Sequence, residues 1–119
     1  MKLEEVRALI TIDKHRLDEH LATNAAVMEQ IGRQVAWAEN DVRHIKKRLE
    51  SIEAKVIAEL RTDDEKMSNA VAEKEARRDA RWTEQWEKYS DAQHHHAEWV
   101  AAEAAWKQRG WDLRAMTDL

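Results

Sequence analysis

The stretch from Met28 to Leu60 constrains this chain more than any other. With Met28 as the first position of a heptad, Met28, Val35, Val42, Leu49 and Val56 fall at the first positions. Ile31, Ala38, Ile45 and Ile52 then fall at the fourth, and Glu59 breaks the pattern. Apolar residues at both core positions, with mostly charged neighbours beside them, predict a long α-helix carrying one apolar seam. A seven-residue repeat predicts a left-handed supercoil. A helix of this length is not ordered by one unburied stripe, so the seam needs a mate. That mate is another part of the chain, another copy, or both.

Composition narrows the possibilities. The chain has 119 residues, no proline, no cysteine and two glycines, so only caps and charge stop its helices. The length fits a single domain. The lack of cysteine removes disulfides and thiolate metal sites and fits a reducing, cytoplasmic setting. No signal-like start and no apolar run near 18 residues appear, so neither secretion nor membrane spanning is expected. A formal charge of -4 with 37% charged residues argues against a general polyanion binder. Any nucleic-acid role must therefore rest on local clusters.

Taken in order, residues 1–24 read as short N-terminal helices, with Leu3, Val6, Ile10, Leu17 and Leu21 at helical spacing. Asp13 is an expected N-cap inside this region, and Thr23 or Asn24 is expected to cap the central helix. Residues 25–61 form that central coiled-coil helix, with Gly32 inside it. Residues 62–78 read as an acidic turn and a short helix. Thr62 with Glu65 matches a capping box, and Ser68 or Asn69 offers a second cap. Residues 79–119 form a tryptophan-rich C-terminal helix, whose stripe runs through Trp82, Trp86, Tyr89, Ala92, His96, Trp99, Val100, Trp106 and Leu113. Gly110 is expected to stop or kink it, leaving Trp111, Leu113 and Met116 in a terminal turn. The expected fold is all-α: a long helical hairpin or coiled coil with short N-terminal helices, assembling as a homo-oligomer.

Two basic clusters are candidates for phosphate contacts. Arg43, Lys46 and Lys47 share a helix face, with His44, Arg48 and Lys55 beside them. Such a row makes salt-sensitive contacts to a nucleic-acid backbone, or simply solvates the flank of a coiled coil. Arg77, Arg78 and Arg81 precede Trp82 and Trp86, a juxtaposition that suits single strands, with cations on the backbone and indoles on bases. The same tryptophans also fit the core stripe. Trp37 and Trp111 lie off the stripes and are candidates for an exposed stacking or docking face. His94, His95 and His96 are adjacent, so their imidazoles diverge by about 100° and do not form a metal site. No phosphate loop, nucleophile set or inward carboxylate pair is recognisable, so neither an enzyme nor a cofactor is expected.

Three segments resemble the small UvsY-type recombination mediators of tailed phages. The opening Leu3-Glu4-Glu5-Val6 into Ile10-Thr11-Ile12-Asp13 and Leu17-Asp18 is similar to the family's start. Ile45-Lys46-Lys47-Arg48-Leu49-Glu50 through Ile52-Glu53-Ala54-Lys55 is similar to its basic central helix. The close from Ala105-Trp106-Lys107-Gln108-Arg109-Gly110-Trp111 to Met116 and Leu119 is similar to its last helix. The resemblance implies an all-helical, ring-forming homo-oligomer in the host-cell cytoplasm. Such a protein binds single-stranded DNA and helps a RecA-like recombinase displace single-strand binding protein. It nominates Lys46, Lys47, Arg48 and Lys55 for DNA and the segment after Arg109 for assembly. Contacts between copies are thus expected at Trp99, Trp106, Trp111, Leu113 and Met116. One departure stands out: where the family continues basic after the central helix, this chain has Asp63, Asp64 and Glu65. The other function class is a coiled-coil scaffold that recruits proteins without touching DNA, which the net acidity favours.

Overall fold

The computed structural model describes residues 1–118, and no strand occurs among them. Helix α1 (Leu3–Ala8) leads through a 3₁₀ turn (Lys14–Arg16) into α2 (Leu17–Asp63), and α3 (Asn69–Ala76) precedes α4 (Ala80–Thr117). The fold is all-α, as the heptads predict, and within each of its units α2 lies against α4. Leu119, the last residue of the expected C-terminal segment, lies outside the described residues. The chain divides into two compact units, Met1–Ala38 with His95–Leu119, and Glu39–His94.

In the first unit, Val27, Ile31 and Ala38 of α2 pack with Trp99, Ala102 and Trp106 of α4, and Met28 and Val35 lie against them. The seam therefore has its mate within the chain. Val6 of α1 joins this core, and its carbonyl accepts a hydrogen bond from the Trp106 indole at 3.1 Å. Full burial of Val6, Ile31 and Leu113 contributes about 1.5–3 kcal/mol each. Asp13 caps as expected, accepting from the His15 N–H at 3.0 Å. The N-terminal helical region does not close at Thr23 and Asn24, however; α2 starts at Leu17 and passes straight through both. Neither residue forces a stop, and the Asn24 side chain serves Arg109 of α4 instead of a backbone cap.

Gly110 also departs from expectation, because α4 continues through it to Thr117 with no positive φ. A Cβ at Gly110 would lie 3.0 Å from Asn24 Nδ2. The glycine permits close approach of α2 and α4 rather than ending a helix.

In the second unit, Val56 is buried and Val42, Ile45, Leu49 and Ile52 are half-buried, so the seam faces inward here too. Helix α3 contributes Ala72 and Ala76, both fully buried. Its cap is Ser68, which accepts from the Val71 N–H at 3.2 Å. Thr62 is not a cap: its hydroxyl donates to the Ala58 carbonyl at 2.8 Å, one turn back, and α2 runs on to Asp63.

The inward stripe of α4 also differs from the apolar one. Within the second unit it runs Trp82, Gln85, Tyr89 and Ala92, with Trp86 turned out and 40% exposed. Within the first it runs His96, Trp99, Ala102, Trp106, Arg109 and Leu113, with Val100 exposed. Strict three-and-four spacing thus brings Gln85 inward in place of its neighbour Trp86 and adds Arg109 to the stripe.

Candidate nucleic-acid interface

The basic row lies on α2 within the second unit, where Arg43, Lys46, Lys47, Arg48 and Lys55 are all exposed. Successive helical residues turn by about 100°, so the row splits into two lines. Arg43, Lys46 and Lys47 share one face. Arg48 and Lys55 share another edge, one heptad or about 10.5 Å apart. Arg43 pairs with Glu39 at 3.4 Å. Among the described residues, Lys46, Lys47, Arg48 and Lys55 have no carboxylate within ion-pairing distance. These four cations stand open to solvent.

The second cluster is built differently. Arg81 donates from both Nη atoms to Glu59, at 3.2 and 2.7 Å, and from Nε to Asp79 at 3.0 Å. Its hydrogen bonds, reinforced by its charge, hold both carboxyls below their ordinary range and raise the guanidinium's own pKa. Arg77 meets Glu53 at 3.4 Å and lies 5.8 Å from the Trp82 ring centroid. Arg78 meets Glu75 at 3.1 Å. In the second candidate cluster, then, each of Arg77, Arg78 and Arg81 already holds a carboxylate. Their charges face carboxylates, and Arg77 and Arg81 fasten the start of α4 and its approach to α2. Trp82 is half-buried, and its indole nitrogen is buried with no partner among the described residues.

The expected assembly residues divide in the same way. Trp99, Trp106 and Leu113 are buried within the first unit, where Trp99 and Trp106 pack with residues of α1 and α2. Met116 is half-buried, whereas Trp111 is 61% exposed. Trp37, on α2, is also 61% exposed. The histidines do not converge: His95 accepts from the Trp99 indole at 3.3 Å, and no group of three potential ligands that could hold a metal ion occurs among the described residues.

Arg109 is a functional-looking side chain that the sequence presents only as part of a helix end. It is 3% exposed, with Nε donating to the Ile10 carbonyl at 2.9 Å and Nη1 to Asn24 Oδ1 at 3.0 Å and the His20 carbonyl at 3.3 Å. Its Nη2 meets His20 Nδ1 at 2.9 Å, and its Cζ lies 4.6 Å from the Trp106 ring centroid. Burial pushes its pKa down, yet an arginine so placed stays charged. It fastens the chain before α2 to α4. Periodicity of apolar residues also misses Gln85 and Lys88, although with Lys55 they line one cavity. The signal that could have found them is spacing: Gln85 lies three residues after Trp82, and Lys88 three after Gln85.

Compared with known proteins, the chain matches no family model, no curated protein and no solved structure.

Proposed function

We propose that this chain is a non-enzymatic, homo-oligomeric protein that binds single-stranded DNA and acts as a recombination mediator. The observation that carries the binding reading is the open run Lys46, Lys47 and Arg48, with Lys55 one heptad beyond Arg48. Among the described residues, Arg7, Arg16, Arg33, Arg43, Arg77, Arg78 and Arg81 all meet carboxylates. An open row on a rigid helix, four cations within ten residues, is suited to phosphates, and repetition in an assembly would strengthen it. The mediator role, with a RecA-like recombinase and single-strand binding protein as partners, is supported by the resemblance alone. The exposed Trp111 supports contacts between copies.

The scaffold reading keeps one observation of its own. Pairing of Arg77, Arg78 and Arg81 leaves a smaller basic surface than the sequence suggests. Titration of a labelled oligonucleotide at low and moderate salt separates the two readings. Binding that weakens as salt rises is expected of the mediator; no binding at low salt leaves only the scaffold.

A further inference from the structure

Within the second unit, α2 and α4 line a cavity of about 240 Å³ that is open to solvent on one side, formed by Ile52, Lys55, Arg81, Glu84, Gln85 and Lys88. A water's share of liquid volume is about 30 Å³, so the space accepts a small hydrated anion. Its polar groups are unequally occupied. Arg81 is fixed by Glu59 and Asp79 and forms a wall. Lys55 has no carboxylate within 4.0 Å among the described residues, and Glu59, one turn on and already held by Arg81, is the carboxylate near enough to feel its charge. Lys88 has only Glu84, 3.9 Å away, and both side chains are largely exposed, so that pair is weak. Gln85 is 7% exposed, yet its amide donates to the Ile45 carbonyl only at 3.5 Å, long for such a bond.

Two loosely held ammonium groups, one from each helix, thus reach one cavity beside a buried amide with a poor partner. We infer that the cavity is a site for a phosphate group, held between Lys55 and Lys88, with the Gln85 amide as a neutral third donor. Phosphate suits the arrangement because its several acceptor oxygens serve donors from different directions, and lysine binds it as a point charge. Arg48 lies about 10.5 Å from Lys55 along the same edge of α2, so a strand running along that edge would bring successive phosphates past both. As the source of the phosphate, the strand rests on the function proposed above; the site itself would equally take free phosphate or pyrophosphate. Glu84 is the one carboxylate among the lining residues, and it opposes the anion.

The test uses the full chain with two probes: pyrophosphate, monitored by the shift of the Gln85 side-chain amide resonance, and a fluorescent oligothymidylate, monitored by anisotropy. Lys55→Gln and Lys88→Gln should each weaken both probes roughly tenfold, the scale of one charge-assisted hydrogen bond. Glu84→Gln keeps both lysines and should tighten both probes, which a merely structural role would not do. Substituting alanine at Lys46, Lys47 and Arg48 together should leave pyrophosphate binding unchanged. Pyrophosphate bound through Lys55 and Lys88 with no oligonucleotide binding would uphold the site and overturn the DNA reading. Oligonucleotide binding indifferent to Lys55, Lys88 and Glu84, with an unmoved Gln85 resonance, would overturn the site and leave that reading standing.

Discussion

Replacing Arg109 with methionine removes a buried cation without leaving a large void, and the structure sets the scale of the loss. The Ile10 carbonyl, at 2.9 Å, and Asn24 Oδ1, at 3.0 Å, each lose a donor in a part-buried setting. An unsatisfied acceptor of this kind costs roughly 1–3 kcal/mol. The contact with the Trp106 ring adds up to about 2 kcal/mol when desolvated. Against this, methionine avoids the desolvation of the guanidinium, so the expected net loss is about 3 kcal/mol. Lysine should rescue little, because one ammonium does not span the separate acceptors that the fork of arginine reaches. Urea unfolding monitored by far-UV circular dichroism measures the loss. With a slope of about 1–3 kcal/mol per molar, the midpoint should fall by about 1–3 M. A midpoint within error of the parent, at an unchanged slope, would refute the reasoning that Arg109 fastens the N-terminal region to α4.

The two glycines give opposite expectations. Gly32→Ala should raise stability by up to about 1 kcal/mol, since a Cβ there meets nothing within 4 Å, whereas Gly110→Ala should lower it because Asn24 cannot withdraw without releasing Arg109. Thermal melts of the pair settle the sign, and a stabilised Gly110→Ala would show that no close approach is needed. Acid should loosen the Arg81 clasp. Glu59 and Asp79 titrate lower in the folded chain than unfolded, so their contribution is present above the ordinary carboxylate range and is lost as pH falls below about 4. Protection from hydrogen exchange in residues 59–81, taken relative to the intrinsic amide rate at each pH, should fall there, and Glu59→Gln should flatten that dependence. An unaltered pH profile in Glu59→Gln would assign the acid response elsewhere.

The heptads carried the fold because every core position from Met28 to Val56 is apolar and every one faces inward, buried or half-buried. Periodicity of that kind depends on local geometry, and nothing distant overrode it. What stayed hidden depended on partners far along the chain. Asn24 looks like a cap and Gly110 like a stop because those are their usual local roles, whereas here they meet each other across 86 residues. Gln85 and Arg109 fall on the stripe by spacing, and a search for apolar residues passes over both. The basic clusters show the same limit. Lys46, Lys47 and Arg48 are as open as the sequence suggests, but Arg81 meets Glu59 and Arg77 meets Glu53, pairings over 22 and 24 residues that composition does not reveal.

The salt dependence of oligothymidylate binding, measured for the parent chain and for the triple alanine variant at Lys46, Lys47 and Arg48, tests the central claim most directly. Each phosphate contact contributes about 0.7 to the slope of log affinity against log salt for single strands. Loss of three contacts per chain should therefore flatten the slope by about 2 and weaken binding regardless of base sequence. A variant that binds with the parent's affinity and slope, or a parent chain that does not bind single strands at low salt, would contradict the account.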